Sequence, residues 1–313
     1  MTRLVRRIAF VVYGTAALTS APASAVAQNA SGTLDDSLPS GPNYAIAQFR
    51  YWAPANVGTV RAMLVLVPGS NGDGRAMAED TVWQNFATKH KLAIIACRFT
   101  DKADNGERAF ENYISVSKGS GDALQTALVH FAERTKHPEV AGVPFLMWGM
   151  SAGGQFNYEY VAWKPERVIA FVVNKGGVYY SALLPKASRM VPGILFTGGK
   201  DLEFRTNTIN GLFAVNRRGG ALWALAEEPS AAHVVGRSRD VAMALYEDVL
   251  PLRLATDGHL ITLEEKIGFL GDLKAKTFAP LGDGKVPPFP TAWLPTERVA
   301  AAWKWLVTES PGK

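Results

Sequence analysis

The residues best suited to chemistry sit in one short stretch, Trp148-Gly149-Met150-Ser151-Ala152-Gly153-Gly154. It contains Gly-x-Ser-x-Gly, placed between an apolar run (Phe145-Leu146-Met147) read as a strand and a following segment read as a helix. A sharp strand-to-helix turn of this kind holds a serine in a strained conformation with its hydroxyl exposed. A Cβ two residues to either side would collide with the neighbouring strand and helix, which is why glycine is needed there. The helix that follows points its N-terminus at the same spot and favours negative charge. The chemistry this suits is nucleophilic attack by Ser151.

A serine nucleophile needs a base, and the chain has five histidines. His90 and His130 fall within or at the ends of predicted helices, and His137 precedes a proline in a loop. His233 lies in Pro229-Ser230-Ala231-Ala232-His233-Val234-Val235-Gly236, a small-residue loop beyond a predicted strand, where an α/β sheet gathers its site residues. His233 is the expected general base and His259 the runner-up. The acid that orients the base should follow an earlier strand, giving the chain order Ser, acid, His. Asp201 supplies it, just past the strand Ile194-Leu195-Phe196 and the Gly198-Gly199 turn. Glu203 competes, but an acid there suits the first turn of a helix.

An oxyanion needs two donors. The N–H of Ala152 follows from the turn itself. The other is expected from Pro68-Gly69-Ser70-Asn71-Gly72-Asp73-Gly74, whose three glycines let amides turn inward. Ser70 is the first choice there and Asn71 the second.

These residues must be held by an alternation of short apolar runs and amphipathic segments, the pattern of a mostly parallel sheet covered by helices on both faces. Strands are expected at 45–52, 59–67, 92–98, 144–148, 168–174, 193–197 and 221–226. Helices are expected at 75–90, 122–136 (with Asp122 as N-cap), 152–163, 203–217, 236–250 and 295–307. Residues 28–42 read as a flexible segment and 253–292 as an irregular wrapping segment, within one domain over 43–313. Only residues 175–192 separate two strands where a cap could be inserted, too few for a cap domain, so the site should be open.

Residues 1–27 read as a secretory signal peptide. Arg3, Arg6 and Arg7 precede an apolar run that is too short to span about 30 Å of hydrocarbon, and Ala25-Val26-Ala27 offers a cleavage site. The expected location is therefore periplasmic or secreted, with no stable membrane insertion. Removing those three arginines lowers the formal net charge from +5 to +2 (30 basic against 28 acidic residues). The remaining positive charge forms no concentrated stripe, so no nucleic-acid partner is expected. Cys97 is the only cysteine, which excludes an intramolecular disulfide and a cysteine-based zinc site. Its apolar surroundings place it in a buried strand.

Over residues 45–251 the chain resembles the α/β-hydrolase superfamily, nearest to the dienelactone-hydrolase-like and polyhydroxybutyrate-depolymerase-like esterases. The resemblance rests on residues 149–153, 69–74, 198–201 and 232–236. Pro68-Gly69 stands where His-Gly is usual, and position 151 is serine rather than the cysteine of dienelactone hydrolase. The resemblance implies a Ser-His-Asp triad, an acyl-enzyme intermediate, and neither metal nor organic cofactor. The expected substrate is a small-molecule or polymeric carboxylic ester. A serine peptidase or a non-catalytic binding protein on the same fold are the alternatives. Trp148, Met150, Phe156, Tyr158, Tyr179, Tyr180 and Phe204 are each candidates for a pocket wall or for core packing.

Overall fold

The computed structural model describes residues 32–102, 111–281 and 289–309. The expected leader and its cleavage site lie outside these residues. Eight strands form one sheet: β1 (Leu34–Leu38), β2 (Ile46–Trp52), β3 (Met63–Val67), β4 (Ala93–Thr100), β5 (Phe145–Gly149), β6 (Val168–Asn174), β7 (Gly193–Gly198) and β8 (Trp223–Glu228). Their order is β1-β2-β4-β3-β5-β6-β7-β8. β2 pairs antiparallel with both of its neighbours, β1 and β4, and the strands from β4 through β3 to β8 pair in parallel. This is the α/β-hydrolase fold, a mostly parallel sheet wrapped by helices.

Period-two burial on both faces produces the layers. Met63, Val65 and Val67 of β3 face one core with α2 (Ser120–Thr135), α3 (Ala152–Trp163) and α5 (Glu203–Arg218). Leu64 and Leu66 face the other, with α1 (Thr81–His90), α6 (Ser238–Arg253) and α7 (Glu297–Thr308). Because both faces are covered, the central strands are apolar throughout, and Cys97 is fully buried among them. The chain leaves β3 through α1 towards β4, then returns through α2 to β5 on the opposite side of β3. That reversal opens a crevice beyond the C-terminal ends of β3 and β5, where such sheets place their sites.

Four sequence expectations differ from the structure. Residues 34–38, expected within a flexible segment, form the edge strand β1. Its Leu-Asp-Asp-Ser-Leu sequence has no apolar alternation. Pairing with β2 and charged contacts hold it instead: Arg50 forks Asp35 at 2.7 and 2.8 Å, and His130 Nδ1 lies 2.8 Å from Asp36. The helix expected over 75–90 breaks into a 3₁₀ turn and α1, because the Asp80 side chain caps the N–H groups of Val82 and Trp83. Asp122 lies in the first turn of α2 rather than at its N-cap, which is Gly119. Within 253–292, expected to be irregular, β9 (Phe269–Asp272), β10 (Thr277–Pro280) and β11 (Thr291–Leu294, which runs past its end) form a small antiparallel sheet. Four-residue strands are too short for their period to be read from sequence.

Between β6 and β7 the only regular element is the four-residue helix α4 (Lys186–Arg189). No helix among the described residues is long and apolar enough to cross a membrane.

Candidate active site

Ser151 is the residue between β5 and α3, with φ 53° and ψ −121°. A side chain in this region is strained, and the surrounding contacts over-determine it. The Ser151 N–H donates to the Asn174 carbonyl at the end of β6 (2.7 Å), and the Gln155 N–H donates to the Ser151 carbonyl (3.1 Å). The flanking glycines permit close approach. A Cβ on Gly149 would lie 2.3 Å from the Gly153 backbone, and one on Gly153 would lie 2.1 Å from the Val67 carbonyl oxygen. Neither gap admits a carbon.

Asp201 and His233 arrive from neighbouring loops. Gly199 N–H donates to the Glu228 carbonyl and Lys200 N–H to the Ala231 carbonyl, both at 3.0 Å. The loop after β7 is thereby tied to the loop after β8. That contact depends on two glycines: a Cβ on Gly198 would sit 2.5 Å from the Ala231 oxygen, and one on Gly199 would sit 2.3 Å from the Pro229 oxygen. The result brings together three side chains. His233 Nδ1 lies 2.8 Å from Asp201 Oδ2, and His233 Nε2 lies 3.0 Å from Ser151 Oγ.

The Asp201 side chain is 2% exposed and that of His233 30%. Burial pushes the Asp201 carboxyl up. Hydrogen bonds from His233, the Leu202 N–H (2.7 Å) and Arg205 Nη1 (3.1 Å) outweigh it and hold the carboxyl below the usual carboxylate value. An ionised Asp201 only accepts, so Nδ1 carries the ring proton and Nε2 accepts from the Ser151 hydroxyl.

The loop after β3 runs beside Ser151: a Cβ on Gly69 would lie 3.7 Å from Ser151 Cβ. Ser70 N–H and Ala152 N–H have no hydrogen-bond acceptor among the described residues. Asn71 does not remain available as the second choice. It adopts φ 54°, and its N–H donates to Tyr113 Oη at 3.1 Å. Its side chain clasps Asp101, with Oδ1 accepting the Asp101 N–H (2.7 Å) and Nδ2 donating to Asp101 Oδ2 (3.2 Å). Asn71 therefore anchors the loop while Ser70 is left free to donate.

The runners-up go elsewhere. His259 pairs with Asp257 in an exposed turn, and Glu203 begins α5, where it accepts from Asn207 Nδ2. His90, His130 and His137 face Glu247, Asp36 and Glu139. Of the candidate pocket residues, Trp148, Phe156 and Tyr158 are core, whereas Tyr180 and Phe204 are exposed. Phe204 adjoins the site through Gly177, on which a Cβ would lie 3.2 Å from Phe204 Cε2; the Gly177 N–H donates to Gln155 Oε1, one helical turn from Ser151.

Three contributors were not read from the sequence: Arg205, which braces Asp201; Tyr113, which anchors Asn71; and Asn174. Arg205 follows Asp201 at the i,i+4 spacing of a helical ion pair, a signal that could have found it. Tyr113 bonds across a separation of 42 residues and has no local signal.

No family model matches the chain, and no curated protein matches it. Solved structures resemble it at low identity. A ferulic acid esterase is 14% identical with a TM-score of 0.49, over 69% of this chain and 95% of the other. Poly(aspartic acid) hydrolase-1 from Sphingomonas sp. KT-1 is 15% identical with a TM-score of 0.46, over 69% and 96%. The S-formylglutathione hydrolase of Staphylococcus aureus is 12% identical with a TM-score of 0.44, over 70% and 96%.

Proposed function

We propose that the protein is a serine hydrolase that cleaves carboxylic esters through an acyl-enzyme on Ser151. The observation that carries this reading is His233, bonded through one ring nitrogen to Ser151 Oγ and through the other to Asp201. A free serine hydroxyl is a poor nucleophile near neutral pH. His233 Nε2 takes its proton as Oγ attacks the ester carbon, and Asp201 stabilises the imidazolium so formed. The Ala152 and Ser70 N–H groups receive the oxyanion at the N-terminus of α3. Collapse expels the alcohol, which takes the proton from Nε2 and leaves Ser151 acylated. Water then repeats the sequence: Nε2 takes its proton, the carboxylic acid leaves, and Ser151 recovers its hydrogen.

The flanks of the site favour an ester with a bulky apolar part. Leu202 and Phe204 follow Asp201, Val234 and Val235 follow His233, and all four are exposed large apolar side chains. Export through the leader at 1–27 belongs to the same proposal. Hydrolysis of a p-nitrophenyl ester by purified mature protein, absent in Ser151→Ala, is the expected result. A wild type inert towards every ester in an acyl series would remove the esterase reading.

A further inference from the structure

Lys175 follows β6 directly, at φ 57°, and its side chain is fully buried. Its Nζ lies 3.2 Å from Asn174 Oδ1 and 3.2 Å from Oε2 of Glu228, the last residue of β8, whose side chain is 5% exposed. Because β7 lies between β6 and β8, the lysine passes beneath the C-terminal end of β7. A Cβ on Gly198 would stand 3.1 Å from Lys175 Cε.

Both ends of the His233 loop meet this pair. Glu228 is where the loop begins, and its carbonyl takes the Gly199 N–H. Its Oε1 accepts the N–H of Arg237 (2.9 Å), where the loop ends and α6 begins. Gly236, at φ 58°, lies so close that a Cβ would be 2.1 Å from Glu228 Oε2. Asn174, held by Lys175, completes the tie: its carbonyl accepts the Ser151 N–H, and its Nδ2 donates to the Val235 carbonyl at 3.2 Å. One buried node thus touches the Ser151 turn, the end of β7 and the His233 loop.

Such a pair is a poor device for stability alone. Burial pushes the Lys175 ammonium down, with the Glu228 carboxylate opposing. Apolar residues of similar volume often serve packing as well or better. We propose that Lys175 and Glu228 are positioning residues, which set the His233 loop at hydrogen-bonding distance from Ser151 for the hydrolysis proposed above, on which this inference rests.

The test compares wild type with Lys175→Met/Glu228→Leu, which replaces the pair by apolar side chains. Arg253→Met serves as control. It removes another buried cation, one bonded to the Val168 and Ile169 carbonyls at the opposite end of β6. Measured are Tm, kcat and KM on one p-nitrophenyl ester, and the rate of fluorophosphonate labelling of Ser151. The pair variant should lose no more Tm than the control, keep KM within about two-fold, and lose about ten-fold or more in kcat and labelling rate. The control should keep kcat. If the pair variant does not fold, Glu228→Gln decides, with an expected fall of about three-fold or more in kcat at unchanged KM. Unchanged kcat in either variant overturns the proposal, as does a kcat loss that tracks Tm equally in the control. A wild type that is not labelled at all overturns the hydrolase reading itself.

Discussion

The Ser151 N–H donates to the Asn174 carbonyl at 2.7 Å, closing the turn after β5 onto the end of β6. The bond belongs to a parallel bridge between Met150 and Asn174 that carries the β5–β6 pairing past the end of β5, and it holds the serine at a φ that would otherwise relax. Asn174 is itself fully buried, and its Nδ2 also donates to the Val235 carbonyl, so one residue ties the strained turn to the His233 loop.

Ser151 and His233 should act as a unit. Ser151→Ala and His233→Ala are each expected to lower kcat by about 10⁴-fold or more, and the double variant should be no worse than either single one. Fluorophosphonate should label wild type on Ser151 and His233→Ala far more slowly. Labelling at another residue, or at an unchanged rate without His233, contradicts the assignment.

Asp201 rather than Glu203 should orient the base. Asp201→Asn is expected to retain the fold and lower kcat by roughly 10³–10⁴-fold, because the amide favours the wrong imidazole tautomer. Glu203→Gln should change kcat by less than about two-fold, since the exposed Glu203 side chain accepts from Asn207 on its own helix and forms no hydrogen bond to Ser151, His233 or Asp201. Steady-state kinetics of the two variants decide between them.

The lowered pKa of Asp201 carries a stability prediction whose sign is set by linkage. Its folded value lies below the unfolded one, so the ionised carboxylate stabilises the fold above the unfolded value of about 3.9. That contribution is lost as pH falls through the folded value. The Tm difference between wild type and Asp201→Asn should therefore be constant near neutrality and change in favour of the variant below about pH 4. A difference independent of pH down to acid unfolding is the contrary result.

Phe204 is 53% exposed beside the site, and its loss should be felt by substrate rather than by fold. Phe204→Ser is expected to lower kcat/KM for p-nitrophenyl octanoate about five-fold or more, leave the acetate ester nearly unchanged, and shift Tm little. Equal effects on the two esters would place the ring outside the acyl path.

Export makes a further prediction. N-terminal sequencing of the protein recovered from outside the cytoplasm should begin near Gln28, after Ala25-Val26-Ala27. A chain beginning at Met1 or Thr2 contradicts it.

Much of the framework was local and hence legible in the sequence. The apolar runs of β3, β5, β6 and β7 marked the centre of the sheet, because strands covered on both faces are buried at every position, whereas β2 showed itself by alternation. The Gly-x-Ser-x-Gly turn, the Gly198-Gly199 turn and the small-residue loop around His233 marked three chain reversals through the residue types that close approach demands. These patterns singled out Ser151, Asp201 and His233, and the tertiary structure brings the three into hydrogen-bond contact. What the tertiary structure alone decided depended on distant partners. Edge strand β1 has no apolar pattern and exists through Arg50, His130 and pairing with β2. Asn71 gives its N–H to Tyr113, whereas the Ser70 N–H meets no acceptor among the described residues. Lys175 and Glu228, 53 residues apart, met beneath β7 only because parallel crossovers made β6 and β8 the neighbours of one strand. Sequence spacing encodes side-chain period and turn geometry, whereas the partner of a buried polar group depends on which strands lie side by side.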